Sequence, residues 1–109
     1  MTPFEAFDSV DIRIGEIVRV KLNEKARKPA YKIWINLGEL GEKTTSAQYT
    51  QHYLPEDLLG KQVVCAVNLG SRKIAGFTSE VLMLGCESAA GAVVYLTTER
   101  ATPLGSKVF

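Results

Sequence analysis

The chain contains few side chains that could support metal or redox chemistry. Among its 109 residues are two cysteines, Cys65 and Cys86, and a single histidine, His52. Three such residues cannot complete a four-coordinate structural zinc site. Both cysteines lie among apolar neighbours, so we expect two free, buried thiols. The sequence predicts neither a metal site nor a cofactor.

Long apolar runs and an excess of one charge are also missing. No apolar run approaches the roughly 18 residues of a membrane-spanning helix, and residues 1–9 carry two acids but no basic segment typical of a signal peptide. We therefore expect a cytoplasmic protein without membrane insertion. Thirteen basic and twelve acidic residues give a net charge of +1, so any anion site must be a local patch.

Catalytic motifs are equally scarce. His52 has no Ser or Cys partner at a family-like spacing, and we expect it at the surface. Glu56 and Asp57 are adjacent at a predicted helix start, where they stabilise the positive end of the helix dipole. No glycine-rich phosphate-binding motif is present. The sequence predicts a binding protein, not an enzyme.

Short alternating segments make up most of the chain. Residues 12–22 alternate around Gly15 and Glu16, which predicts a long strand bent by a bulge at the glycine. Residues 31–37 predict a second strand whose odd-numbered side chains point inward. Further strands are expected at 44–48, 63–67, 80–84 and 92–96, with a loop at 68–76. A capping box at Thr2 predicts a helix over 3–7, and Pro55 begins a helical turn.

These elements predict an all-β fold, a five-stranded OB-fold barrel with short N-terminal and connecting helices. We expect one domain of this type over residues 1–109. An SH3-like barrel is the alternative, but the helical connector between the third and fourth strands favours the OB fold.

The second and third strands present a candidate binding face. Outward positions of the second strand include Trp34, and the third strand is polar, with Ser46 and Gln48. Residues 19–32 contain six basic side chains and one acid, and Arg72 and Lys73 form a second basic spot. Such patches are suited to phosphate contacts. The alternatives are a solvated basic loop and a Trp34 that is covered by another element or by a second subunit.

Five segments carry a resemblance to a known family. The segments are Val10–Ile17, Ala26–Lys32, Ser46–Gln48, Val67–Leu69 and Ser79–Leu82. The chain resembles the CsaA family of export-related chaperones over essentially its whole length. That family is itself similar to the tRNA-binding OB domain appended to bacterial methionyl-tRNA synthetase.

The resemblance implies a homodimer that binds unfolded preproteins or peptides, assists post-translational export and contacts the secretion machinery. The alternative that it implies is structure-specific tRNA binding. Matching the relatives' site predicts that this surface is lined by Ser46, Asn68, Arg72, Lys73 and Ser79, with Gln48 beside them and Trp34 and Val81 as apolar contacts. The chain departs from the tRNA-binding pattern after Glu80, where Val81 and Leu82 replace Gly and Met and make the patch more apolar.

The chain ends support the expected homodimer. Phe4, Phe7, Val108 and Phe109 are apolar at positions that would otherwise fray. We expect these residues at the interface between two copies, with docking onto their own subunit as the alternative.

Overall fold

The computed structural model describes residues 1–109, which form nine strands and two helices. The helices are α1 (Pro3–Ser9) and α2 (Pro55–Leu58), and a 3₁₀ turn covers Gly38–Leu40. The strands are β1 (Ile12–Leu22), β2 (Tyr31–Asn36), β3 (Glu42–Ala47), β4 (Gln62–Ala66), β5 (Arg72–Ile74), β6 (Phe77–Ser79), β7 (Leu82–Met83), β8 (Gly85–Glu87) and β9 (Val93–Tyr95). Neither helix has the length or apolar character needed to cross a membrane.

Five strands build an antiparallel barrel that is nearly closed. Their order is β3-β2-β1-β4-β7, and the hairpins β5–β6 and β8–β9 are attached to it. At the open edge the backbone amides of Glu80 and Val81 both donate to the carbonyl of Thr44, at 2.7 and 3.2 Å. The predicted all-β, OB-type barrel with short helices is confirmed.

The core lies inside the barrel and follows the predicted alternation of β2. Ile33, Ile35 and Leu37 are fully buried, and they pack with Ile17 and Val63 from the neighbouring strands. The two-residue periodicity of the sequence therefore predicted correctly which side chains of β2 face inward. The outward positions of β2 remain available for a surface role.

The bulge of β1 lies three residues beyond its predicted position. The β1–β2 register shifts between Ile17 and Arg19, so Val18 is the extra residue. Gly15 serves a different purpose, because a Cβ atom there would lie 2.4 Å from Cγ2 of Ile35 and 2.8 Å from Cδ2 of Leu37. The glycine allows β2 to approach β1 closely.

The predicted loop at 68–76 and strand at 80–84 are both wrong in detail. The loop contains a β-hairpin, with Ile74 paired to Phe77 across the turn residues Ala75 and Gly76. Both turn residues have positive φ, 50° and 80°, as a type I′ hairpin turn requires. The later strand shrinks to β7, because the residues before it turn to follow β3. Strands of two or three residues carry too little periodicity to be predicted.

The two chain ends are held differently. Helix α1 has the predicted capping box, in which the Thr2 hydroxyl accepts from the Glu5 amide and the Glu5 carboxylate accepts from the Thr2 amide. This bonding lowers the pKa of Glu5. The C-terminal tail pairs with β1 of its own chain, where the Val108 amide donates to Ile12 at 2.8 Å. Phe109 is nevertheless fully exposed.

The cysteines occupy different environments. Cys65 is fully buried, and burial raises the pKa of its thiol from 9.0 to about 12. Cys86 is free but exposed on β8, so the expectation of two buried thiols is wrong for it. The short β8–β9 hairpin stands outside the barrel, which leaves that side chain uncovered.

Candidate functional site

A groove runs along the outer surface of β3, and Ser46 lies at its centre. Three adjoining cavities of about 270, 470 and 530 Å³ all have Ser46 in their walls. We call them together the Ser46 groove. Its walls come from β3, the loop at 23–30, the β5–β6 hairpin, and β7 with β8. Gln48, a predicted site residue, is exposed and lines two of the cavities.

Hydrogen bonds attach Ser79 and Glu80 to the edge of β3 beside the groove. The Ser79 hydroxyl accepts from the Ser46 amide at 3.1 Å. The Glu80 carboxylate accepts from the amide of Thr44 at 3.1 Å and from its hydroxyl at 2.8 Å. These bonds occupy donors that an edge strand would otherwise expose. The predicted neighbours Ser46 and Ser79 therefore meet, and they fix the hairpin relative to β3.

Two leucines form the apolar side of the groove: Leu82, which was expected to make the patch more apolar, and Leu69, which we did not predict as a contact. Leu69 and Leu82 are 55% and 51% exposed at the rim, and Ile74 lies between them and the basic loop. Val81, the predicted apolar contact, lines one cavity of the groove, but its side chain is mostly buried in the barrel core, with 5% exposure. Adjacent residues of a strand face opposite ways. Because Val81 faces the core, Leu82 faces outward.

The basic side of the groove combines two segments distant in sequence. Lys25, Arg27 and Lys28 line the cavity beside Ser46, and Arg72 lines the next one. Lys73 alternates with Arg72 on β5 and lies on the other face of the hairpin, outside these cavities. Of the predicted basic pair, only Arg72 belongs to the groove.

Trp34 lies on the outer face as predicted, but not in the groove. It is half-buried, its ring centroid is 5.4 Å from that of Phe77 in an edge-to-face contact, and the guanidinium of Arg19 lies 4.5 Å from the indole centroid. Trp34 lines none of the three cavities that contain Ser46, although Ser46 lies on the same face of the sheet, one pair further along β2 and β3. The unpredicted β5–β6 hairpin supplies the phenylalanine that covers this ring.

Asn68 lies outside the groove, where its side chain makes structural hydrogen bonds. Its side-chain oxygen accepts from the Asp11 amide at 2.7 Å, and its amide nitrogen donates to the Ser9 carbonyl at 2.9 Å. These bonds attach the end of α1 to the segment after β4. Asn68 lines none of the three cavities, so the structure separates it from the other predicted site residues.

Two further polar side chains near the groove are engaged in local bonds. Tyr49 lines the groove but is buried; its hydroxyl donates to the Met83 carbonyl at 3.2 Å, and burial raises its pKa to about 12. His52 is exposed, as expected, and one ring nitrogen lies 2.9 Å from the Ser88 hydroxyl. The described residues contain no cluster of three His, Cys, Asp or Glu side chains suited to a metal ion.

The fold and groove define an OB-type barrel, a class that holds ligands on this face between two loops. Residues 12–107 match the family model described as "Putative tRNA binding domain". The chain belongs to this tRNA-binding-domain family.

Within that family the chain is similar to proteins named CsaA. The crystal structure of the chaperone CsaA from Bacillus anthracis is 45% identical, covers 100% of this chain and 99% of that chain, and gives a TM-score of 0.93. The CsaA chaperone protein from Picrophilus torridus is 39% identical, with both chains fully covered and a TM-score of 0.92. The predicted resemblance to the CsaA family is confirmed.

A methionine–tRNA ligase is a much longer relative. The ligase from Methanocaldococcus jannaschii is 35% identical over 101 residues, which is 93% of this chain. The chain spans about 15% of the length of that relative. The similarity therefore concerns the barrel and not the rest of the ligase.

Proposed function

We propose that this chain is a molecular chaperone that binds unfolded preproteins or peptides in the Ser46 groove and assists their post-translational export from the cytoplasm. The observation that carries the proposal is the pair of half-exposed leucines, Leu69 and Leu82, beside Arg72 in a concave surface. Exposed apolar side chains in a groove can bury apolar side chains of an extended chain. The similarity to proteins named chaperones supports the same role.

The aromatic residues favour a polypeptide over stacked nucleic-acid bases in this groove. Base-stacking sites present exposed aromatic rings. Tyr49 is the aromatic side chain in the walls of the three cavities, and it is 2% exposed. The leucines offer apolar area without such a ring.

Side chains, not strand addition, would hold the polypeptide at β3. Peptides that extend a sheet need free backbone donors and acceptors at an edge. The amides of Thr44 and Ser46 already donate to Glu80 and Ser79. The proposed contacts are therefore the leucines, the neighbouring cations and the polar groups of Ser46 and Gln48.

RNA binding is the second candidate function. Six basic residues in positions 19–32 against Glu24 give a local excess of five positive charges on a nearly neutral chain. Such patches bind phosphates through counter-ion release, and the matching family model is described as a tRNA-binding domain. We propose tRNA as the polyanion.

We further propose that residues 1–109 act as one domain in a homodimer that contacts the secretion machinery and acts by binding, without catalysis. Phe4 and Phe7 are 75% and 47% exposed on α1, and Phe109 is fully exposed. Apolar side chains left on the surface at both chain ends favour contact with a second copy.

Salt dependence tests the two functions separately. Affinity for a reduced, carboxymethylated polypeptide and for tRNA would be measured by titration at 50 and 200 mM salt. Apolar burial keeps its affinity, whereas six to ten phosphate contacts lose about 10³ to 10⁵ in affinity over that range. A polypeptide affinity that falls as steeply as that of tRNA contradicts the proposed apolar groove. No polypeptide binding at either salt contradicts the chaperone role.

A further inference from the structure

Strand β8 has one edge that pairs with no other strand. It forms a two-stranded sheet with β9 and belongs to no larger sheet. All three of its residues, Gly85–Glu87, are exposed. An edge strand presents unpaired amides and carbonyls to which the backbone of another chain can bond. The free edge of β8 is therefore a surface on which an extended polypeptide can pair.

The hydrogen bonds of the β8–β9 hairpin show which backbone groups lie on this free edge. Leu84 and Ser88 flank β8, and both bond across the hairpin: the Leu84 carbonyl accepts at 3.1 Å and the Ser88 amide donates at 2.8 Å. In an antiparallel pair, residues that bond across alternate with residues that do not. Cys86 therefore bonds to β9, and the amides and carbonyls of Gly85 and Glu87 point away from it. Neither residue makes a backbone hydrogen bond outside the hairpin.

The free edge borders the Ser46 groove. All three residues of β8 line the cavity of about 470 Å³, which residues 45–49 at the end of β3 line as well. Leu82 and Val93 contribute apolar side chains to the same cavity. The amides of Thr44 and Ser46 on β3 already have partners in Glu80 and Ser79. Strand β8 is therefore the side of the cavity that offers backbone partners to a ligand.

We propose that an extended segment of the bound polypeptide adds to the free edge of β8, through the amides and carbonyls of Gly85 and Glu87. The proposal rests on the proposed polypeptide binding and states how the groove recognises its ligand. Every amino acid except proline supplies the same backbone donor and acceptor. Side chains of the added strand alternate between the cavity and solvent, so every second one reaches Leu82 and Val93. The ligand class is a proline-free, extended segment with apolar residues at alternate positions.

Proline at the edge tests the backbone bonds. Glu87→Pro removes one free amide, and a strand tolerates proline where its nitrogen faces away from the sheet. Glu87→Ala removes the same carboxylate and keeps the amide, so it is the matched control. We expect Glu87→Pro to bind the carboxymethylated polypeptide about two- to tenfold more weakly than Glu87→Ala does, because one hydrogen bond is lost. Equal affinities of the two variants contradict the site.

Peptides with N-methylated backbones test the wild-type protein without any substitution. A soluble heptapeptide of alternating valine and threonine is compared with two methylated forms, one carrying the methyl groups on the valine nitrogens and one on the threonine nitrogens. Only alternate residues of an added strand bond to β8. We therefore expect one methylated form to lose affinity and the other to keep it. Equal affinities of the two forms contradict strand addition, because side-chain contacts alone do not distinguish them.

Amide hydrogen exchange, measured by NMR, locates the added strand. Exchange at Gly85 and Glu87 should slow when the heptapeptide binds, whereas the Cys86 amide is protected with and without it. Unchanged exchange at Gly85 and Glu87 in the complex contradicts the site.

Oligomeric state and wild-type binding separate the remaining outcomes. A lower mass of Glu87→Pro than of Glu87→Ala in light scattering assigns the edge to a second copy of this chain and overturns the proposal. Wild-type protein that binds neither the polypeptide nor the heptapeptide contradicts the proposed chaperone function itself. Polypeptide binding that the proline variant leaves unchanged contradicts only the addition to β8.

Discussion

Replacing Leu82 with serine removes the apolar rim of the Ser46 groove with little disturbance of the barrel. Leu82 lies on β7 opposite Ala66, and its side chain is half exposed at the junction of two cavities. Leu59→Ser is the matched control, because Leu59 is 46% exposed against 51% for Leu82 and lines none of the groove cavities. The two substitutions therefore remove similar apolar area from similarly exposed positions.

The expected magnitude follows from the exposed half of the leucine. Complete burial of a leucine side chain contributes about 1.5 to 3 kcal/mol. A bound polypeptide can bury only the half that the barrel leaves exposed, which corresponds to about 1 kcal/mol, or about fivefold in Kd. Both variants lose similar free energy of unfolding, since each gives up the half that is already buried.

Titration calorimetry with the carboxymethylated polypeptide measures this difference, and urea denaturation measures the stability of both variants. Leu82→Ser should weaken binding about fivefold, whereas Leu59→Ser leaves it unchanged. Equal affinities of the two variants would refute the assignment of the groove, provided that both remain folded.

The remaining predictions concern the barrel and the chain ends. Gly15→Ala should lower the free energy of unfolding by about 1 to 3 kcal/mol, because the new Cβ would lie 2.4 Å from a methyl of Ile35; an unchanged urea midpoint contradicts this close approach. A thiol reagent should modify Cys86 in the native protein and Cys65 only after unfolding, as mass spectrometry would show. Stability should fall as pH rises from about 9, because the unfolded Cys65 thiol loses its proton there while the folded thiol, with a pKa of about 12, keeps it; stability that stays flat up to pH 11 contradicts this linkage. Phe109→Ser should weaken pairing in light scattering, and a wild-type mass of 12.0 kDa at micromolar concentration contradicts the homodimer.

Local sequence patterns were sufficient to predict the structure of segments in which burial repeats regularly. The alternation in β2 identified the inward side chains of Ile33 and Ile35, and the capping box identified the start of α1, because each feature depends on residues close in sequence. The number of strands and the helical connector then indicated the barrel class. Outward placement of Trp34 followed from the same alternation.

The membership of the groove depended on contacts between distant segments. The turn of residues 79–81 along β3 sets whether Val81 or Leu82 faces outward. Asn68 is hydrogen-bonded to Ser9 at the end of α1 and to Asp11, which lies 57 residues away in sequence. A hairpin of two three-residue strands joined by a type I′ turn determines that Phe77 covers Trp34 and that Arg72, not Lys73, faces Ser46. The sequence by itself determined the barrel and its inward faces, because repeated burial leaves a periodic pattern. Only the tertiary structure decided which outward side chains meet, because that depends on how short, non-periodic segments pack across the barrel edge.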